Sequence, residues 1–379
     1  MNSLILDIAA EVIGKASRAQ PADATLRDEL RGKRDLSPAE RRDVTRAVFT
    51  YYRWHGWLEN EKALTARISR ALELAERFRK NPSSLPVDAL RSKAVPAWAA
   101  EEVQISDEWL QSLQCEPMLW LRARPGRGRE LATKLRLART LGLPDAVLYE
   151  GRVDLFRTPE FAAGEFEIQD LSSQAVGLIC NPKPGETWWD ACAGEGGKTL
   201  HLSDLMGNRG LIRASDRAAW RLQKLKRRAA RAGVFNYRTA VWEGGARLPM
   251  KTKFDGVLVD APCSGVGTWQ RNPHARWTTT LADVTELGGL QKQLLGNAAA
   301  AVKPGGKLIY AVCTLTRSET TDVADEFESR FKQFKPLPMA DPLVPERPVS
   351  PRIWIWPQQC GGNGMFVAVW EKCRLNVEL

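Results

Sequence analysis

The chain has 379 residues, more than one compact domain of about 150 residues holds, so two or three units are expected. Hydrophobic residues at 44% and charged residues at 26% exclude wholesale disorder, and 55 Lys and Arg against 45 Asp and Glu leave a net charge of +10 that suits a polyanionic partner without identifying one. Seven cysteines without paired close spacing argue against a disulfide framework, and three histidines argue against a His-rich metal site; what remains is a reducing compartment where single thiols can be reagents.

Leu4, Ile5, Ile8, Val12 and Ile13 recur at helical spacing, and Leu26 and Leu30 continue the pattern after a polar break. Asp7 and Glu11 interrupt the first stretch and no basic n-region precedes it, so it does not read as a signal peptide. No uncharged apolar run approaches the ~18 residues of a membrane span. The expectation is a cytoplasmic protein with no membrane partner.

Ser37-Pro38-Ala39-Glu40 reads as a capping box with proline at the first helical position, opening a helix that carries Val44, Ala47, Val48, Tyr51 and Tyr52. Leu64, Ile68, Leu72, Ala75 and Phe78 form another amphipathic set, which ends at Asn81-Pro82-Ser83-Ser84-Leu85-Pro86. Residues 1–85 are therefore expected to be an all-helical domain. Over 86–160 the reading is a small α+β unit: a helix at Ser106 to Leu113, a strand at Leu119 to Ala123, a basic helix from Arg129 to Leu141 and strand-like Val147 to Phe156.

From 161 to 379 strands and helices alternate. Strands are predicted at Thr187 to Asp190, Leu211 to Ser215, Tyr237 to Val241, Phe254 to Val259, Lys307 to Val312 and Met365 to Trp370. Helices are predicted at Lys198 to Met206, Ala218 to Ala232, Thr285 to Val302 and Ser318 to Phe334. The fold class is α/β, a Rossmann-like doubly wound sheet, whose ligands bind beyond the carboxyl ends of the strands.

The first such strand runs into D-A-C-A-G-E-G-G-K-T, Asp190 to Thr199, where glycines admit a ligand to the backbone and a helix N-terminus offers unpaired N–H groups. Asp216, 22 residues beyond Gly194, ends the next strand, where an acid can take a ribose diol. Together they indicate a nucleoside-containing cofactor. The dinucleotide fingerprint would need a third glycine at Thr199, so NAD is the weaker candidate. Asp260 to Gly265, D-A-P-C-S-G, and Tyr310 to Thr314, Y-A-V-C-T, place Cys263 and Cys313 just past two more strands, on the same rim. A thiolate there is a strong nucleophile toward an electron-poor ring carbon.

Together these three segments closely resemble the RsmB/Nop2/Sun family of RNA 5-methylcytosine methyltransferases. The likeness extends through F-E-I-Q-D-L-S-S-Q (Phe166 to Gln174), R-N-P-H-A-R-W (Arg271 to Trp277) and N-G-M-F-V-A (Asn363 to Ala368), in the family's order. The resemblance implies S-adenosyl-L-methionine as cofactor, held by Cys192, Ala193, Gly194, Glu195, Gly196, Gly197, Lys198, Asp216 and Asp260. It makes Cys313 the nucleophile that adds to carbon 6 of cytosine, Cys263 the thiol that resolves the adduct, Asp260 the carboxylate at the nitrogen 3 and amino edge, and Lys198 a lysine of the cofactor and base pocket. No metal is implied. It also implies a NusB-like helical domain before a small RNA-recognition-like subdomain and the methyltransferase domain. Small-subunit ribosomal RNA is the favoured substrate, with tRNA or large-subunit rRNA as alternatives and a non-catalytic RNA-binding or ribosome-assembly module as the reading from another class.

Three positions depart from the family pattern. Glu195 puts a carboxylate into the cofactor loop, Gly245 stands where the family places an aspartate, with Glu243 as a substitute, and Asn363 replaces an aspartate. For RNA contact there are two basic groups: Arg122, Arg124, Arg127 and Arg129 in the small unit, and the run Arg213, Arg217, Arg221, Lys224, Lys226, Arg227, Arg228, Arg231 and Arg238. The first is the better placed in sequence. Trp54, Trp57, Trp188 and Trp189 read as core, whereas Trp277 follows Asp260 and is expected to flank the substrate path.

Overall fold

In the computed structural model, which describes residues 2–374, the N-terminal apolar patterns become helices α1 (Ser3–Lys15), α2 (Ala22–Gly32), α3 (Pro38–Arg53) and α4 (Leu64–Lys80). Each turns one apolar stripe inward: Ile5, Ile8 and Val12 share a core with Val44, Val48, Ile68 and Ala71. The capping box closes, with Ser37 N donating to the Glu40 carboxylate at 2.8 Å and Glu40 N donating to Ser37 Oγ at 3.3 Å. Shorter helices follow, α5 (Val87–Lys93), α6 (Ala99–Glu102) and α7 (Asp107–Ser112).

This helical unit does not stop at 85. It runs to Pro117 and takes in Gly265–Asp283, so the Arg271 to Trp277 segment folds here, with a helix at Pro273–Thr278. Arg276 explains the attachment. Its fully buried guanidinium donates to the carbonyls of Arg53 (3.3 Å), Ala94 (3.0 Å), Leu113 (2.8 Å) and Trp269 (3.3 Å). Those carbonyls lie at the C-terminal ends of α3, α5, α7 and a 3-10 turn, where backbone oxygens lack partners and the helix dipole favours a cation. Trp277 is engaged in the same unit: its Nε1 donates to Tyr52 O at 2.7 Å and its ring lies 5.0 Å from that of His55.

The second compact unit, Met118–Ser264 with the chain from Val284 onward, contains both sheets. The smaller is antiparallel, in the order β2-β3-β1-β4, from β1 (Leu119–Ala123), β2 (Ala138–Thr140), β3 (Ala146–Tyr149) and β4 (Phe166–Ile168), with helices α8 (Gly128–Leu135) and α9 (Pro159–Ala162). The basic helix expected to reach Leu141 ends at Leu135, because Arg136 and Leu137 take positive φ values of 48° and 43° and turn the chain into β2. The small sheet also passes the border expected at 160, taking its last strand from Phe166–Ile168.

The larger sheet is built from β5 (Thr187–Asp190), β6 (Leu211–Asp216), β7 (Tyr237–Val241), β8 (Phe254–Asp260), β9 (Val302–Val312), β10 (Phe334–Pro336), β11 (Arg352–Ile355) and β12 (Met365–Lys372). Its order is β10-β12-β9-β8-β5-β6-β7, with β11 paired to β12; β5 to β9 run parallel and β12 is antiparallel to β9. Alternation along β5 sends Trp188 to one face and Trp189 to the other. Trp188 joins Val176 of α10 (Leu171–Cys180) and Leu202 of α11 (Gly197–Leu205), while Trp189 joins Leu295 and Phe327 from the helices Leu281–Ala299 and Thr321–Arg330. Both faces are thus covered, as parallel sheets require. The chain steps outward from β5 to β6 and β7, then returns to the other side of β5 as β8. That reversal puts a crevice at the carboxyl ends of β5 and β8, where such folds bind ligands. Among the described residues no helix is long and apolar enough to cross a membrane.

Candidate active site

Asp190 ends β5 fully buried, its Oδ2 accepting from Thr199 Oγ1 at 2.6 Å. Its Oδ1 is buried without a hydrogen-bond partner among the described residues. Burial, with Asp260 and Asp216 adding repulsion, pushes its carboxyl up to about 7. Between Asp190 and α11 the backbone turns through Gly194 (φ +55°) and Gly196 (φ +88°). A Cβ at Gly196 would meet Leu225 Cγ at 2.5 Å, so only glycine fits, whereas Gly194 has open space where a Cβ would stand. Ala193 is buried beneath the loop, and Gly197 opens α11. Asp216 braces the turn from the end of β6: Oδ2 accepts from Gly194 N at 3.0 Å and Oδ1 from Ala218 N at 2.8 Å. Cys192 packs against the sheet core, where burial pushes its thiol far up. An open glycine turn, a helix N-terminus and an acid at the adjacent strand end fit a nucleoside cofactor with an amino-acid tail.

The Glu195 carboxylate does not enter the loop unpaired. It forms an ion pair at 2.7 Å with Lys224 of α12 (Ala219–Arg231), and its backbone oxygen accepts from Arg228 at 3.0 Å. The loop after β7 contributes Gly245 O as acceptor for Trp242 Nε1 at 3.0 Å, and Glu243 there is exposed. Asn363 acts through its backbone, its N donating to Asp170 at 3.0 Å and its oxygen accepting from Ser172 Oγ at 2.5 Å.

β8 and β9 are neighbouring parallel strands with Asp260 opposite Ala311, so the loops bearing Cys263 and Cys313 leave the sheet side by side. The two sulfurs are 3.3 Å apart, beyond the ~2.05 Å of a covalent S–S bond, and both residues are partly exposed. Across the crevice, Lys198 in the first turn of α11 donates to Asp260 Oδ2 at 2.6 Å. Burial alone would pull the Lys198 ammonium down, but the Asp260 carboxylate, helped by Cys313 and Asp190, holds it above its ordinary range. The predicted residues of both kinds, loop and rim, therefore converge on one strand-end crevice. Sequence reasoning missed Glu319, a wholly buried acid six residues beyond Cys313, between the two cysteine loops. The signal was an acid amid Thr314, Thr316 and Ser318 immediately after a core strand.

The basic groups divide differently from the expectation. Arg122 of β1 and Arg124 just after it are structural: Arg122 is buried against Asp204 and Gln169, and Arg124 pairs with Asp204 at 2.9 Å and Glu167 at 3.5 Å. From α12, Arg228 (2.8 Å) and Arg231 (2.5 Å) also hold Glu167.

This strand order, with the glycine loop and the acid at the end of β6, defines the Rossmann-like fold of methyltransferases that use S-adenosylmethionine. The family model that matches residues 177–371 is described as 16S rRNA methyltransferase RsmB/F, and the chain belongs to that family. A protein of Synechocystis sp. named probable ribosomal RNA small subunit methyltransferase B is 38% identical over 240 residues, 61% of this chain and 53% of that one. Ribosomal RNA small subunit methyltransferase B of Sodalis glossinidius is 32% identical over 308 residues, 78% of this chain and 67% of that one. The match therefore spans half to two thirds of these relatives. Among solved structures, the one described as PH0851 superposes over 98% of this chain and 99% of its own with a TM-score of 0.80 at 23% identity, which shows the fold.

Proposed function

We propose that the chain is an RNA cytosine-5 methyltransferase that works through a covalent adduct, with small-subunit ribosomal RNA as substrate. The observation that carries this reading is the pair of thiols 3.3 Å apart at adjacent strand ends, beside the Lys198–Asp260 pair. Carbons 5 and 6 of a pyrimidine are bonded neighbours, so two groups acting on them must themselves be neighbours. Cys313 thiolate adds to carbon 6, with Asp260 holding the nitrogen 3 and amino edge as electron density moves into the ring and onto carbon 5. S-adenosylmethionine, when bound, supplies the activated methyl group that carbon 5 takes. Cys263 then removes the carbon-5 proton, and the released electron pair re-forms the double bond and expels Cys313 as thiolate. Lys198 keeps Asp260 oriented toward the base. The target base must leave its stack to enter the crevice, which favours single-stranded or splayed RNA.

The outward face of α12 supports RNA as the partner. With Arg228, Arg231 and Lys224 taken by Glu167 and Glu195, Lys226 and Arg227 of α12 and Arg217 just before it remain exposed, and Trp220 is 56% exposed with Arg221 and Lys224 over its ring. The helix begins just after Asp216, on the rim of the crevice, and cations around an exposed indole suit phosphates and an unstacked base. Converting Arg217, Lys226 and Arg227 to glutamine should flatten the salt dependence of RNA binding; an unchanged slope would remove this face from the interface. The reading as a whole is tested by incubating the protein with labelled S-adenosylmethionine and 16S rRNA and mapping the product. It requires 5-methylcytosine at a defined position, and methyl incorporation into another base would refute it.

A further inference from the structure

We infer that Glu319 is a positioning residue that clamps the loops carrying Cys263 and Cys313 and so sets the spacing of their thiols. Its carboxylate is wholly buried, and the charge is satisfied entirely from those loops and one helix. Oε1 accepts from Ser264 N at 2.8 Å and from Gln291 Nε2 at 2.9 Å. Oε2 accepts from Ser264 Oγ, from Thr314 Oγ1 at 3.1 Å and from Thr316 Oγ1 at 2.8 Å. Ser264 immediately follows Cys263, and Thr314 immediately follows Cys313. One carboxylate therefore holds the neighbour of each thiol.

The clamp has a second jaw. Gln291, also wholly buried, donates to Pro262 O at 2.9 Å, the residue before Cys263, so the Cys263 loop is gripped on both sides of the thiol. Tyr310 Oη lies 2.7 Å from Glu319 O and 2.9 Å from Gln291 Oε1, which ties the clamp to β9 itself. Each donor is a neutral N–H or O–H, and no cation pairs with Glu319 in this set. An acceptor-only group with two oxygens suits five converging donors, and an amide would not, because its NH2 would face hydroxyls and an N–H already placed to donate. Hydrogen bonds to a buried charge are among the strongest in a protein, so the pair of loops is fixed more tightly here than strand pairing alone would fix it.

This inference deepens the covalent reading above, and its test separates the two. Phenylarsine oxide is captured by two thiols that can reach one arsenic atom, losing its oxygen as water, and capture does not require methyl transfer. The wild-type protein should capture it, and Cys263→Ala and Cys313→Ala should each abolish capture. Glu319→Gln should weaken capture and lower kcat by about tenfold or more, with S-adenosylmethionine affinity retained and the melting temperature lowered. If Glu319→Gln fails to fold, Ser264→Ala, which removes only the hydroxyl links, is read in the same way for a smaller change in the same direction. Capture and kcat at wild-type levels in either folded variant would overturn the inference. Loss of capture in Glu319→Gln alongside a wild-type protein that forms no 5-methylcytosine would leave the clamp standing and sink the proposed reaction instead.

Discussion

The Lys198 ammonium donates to Asp260 at 2.6 Å across the switch point of the sheet, joining the first turn of α11 to the end of β8. The two partners differ in burial: the Lys198 side chain is 10% exposed and that of Asp260 28%. Removing the carboxylate strands a desolvated cation, whereas removing the amine leaves a carboxylate that water can reach. Asp260→Asn should therefore cost about 3 kcal/mol of stability as well as activity, and Lys198→Met should cost less stability while still impairing methyl transfer. Thermal melts beside single-turnover assays check this. Equal melting losses in the two variants would contradict it.

Asp190 sets a pH dependence. Because burial raises its carboxyl to about 7 in the folded chain, its contribution to stability is full in acid, below the ordinary aspartate range, and is lost as pH climbs toward about 7. The amide introduced by Asp190→Asn carries no charge at any pH and can still meet Thr199. The melting temperature of Asp190→Asn relative to wild type should rise between about pH 4 and pH 7 and then level off. A constant difference would show that Asp190 does not titrate there.

Glu167 behaves in the opposite sense. Burial alone would raise it, but Arg228 and Arg231 hold it below the ordinary carboxylate range. Its contribution is present above that range and disappears on acidification. Glu167→Gln should remove part of the acid sensitivity of the second unit and lower its neutral-pH stability by about 3 kcal/mol, since two partly buried arginines lose their shared counter-charge. Denaturant titrations at neutral and acid pH check both parts.

How much of this can be read in the sequence depends on the range of the interaction that fixes each feature. Strands β5 and β7 are legible to the residue, because short apolar runs bounded by glycine loops and amphipathic helices are local signals. The strand-end cysteines are legible for the same reason. By contrast, β4, β10 and β11 have three or four residues each and exist because a neighbouring strand is there to pair with them. Arg122 and Arg124 read as an RNA-facing cluster because their counter-ions, Asp204 and Glu167, are distant in sequence. Arg276 is legible only as part of a motif, since its partners are backbone carbonyls contributed from 53 to 269.

Arg276 yields a prediction of its own. Lysine preserves the charge but cannot reach four carbonyls from one ammonium, so Arg276→Lys should destabilise the helical unit and Arg276→Leu should do so by about 3 kcal/mol or more. Circular dichroism melts would show the helical signal lost at lower temperature. Wild-type melting of Arg276→Leu would mean that the helix C-termini do not need the cation.

The division of labour between the two thiols is tested most directly by trapping. Cys263→Ala, mixed with RNA and S-adenosylmethionine and run on a denaturing gel, should accumulate a protein–RNA adduct that the double variant Cys263→Ala/Cys313→Ala does not form. Formation of the adduct in the double variant, or its absence from Cys263→Ala with turnover intact, would contradict the assignment of Cys313 to attack and Cys263 to release.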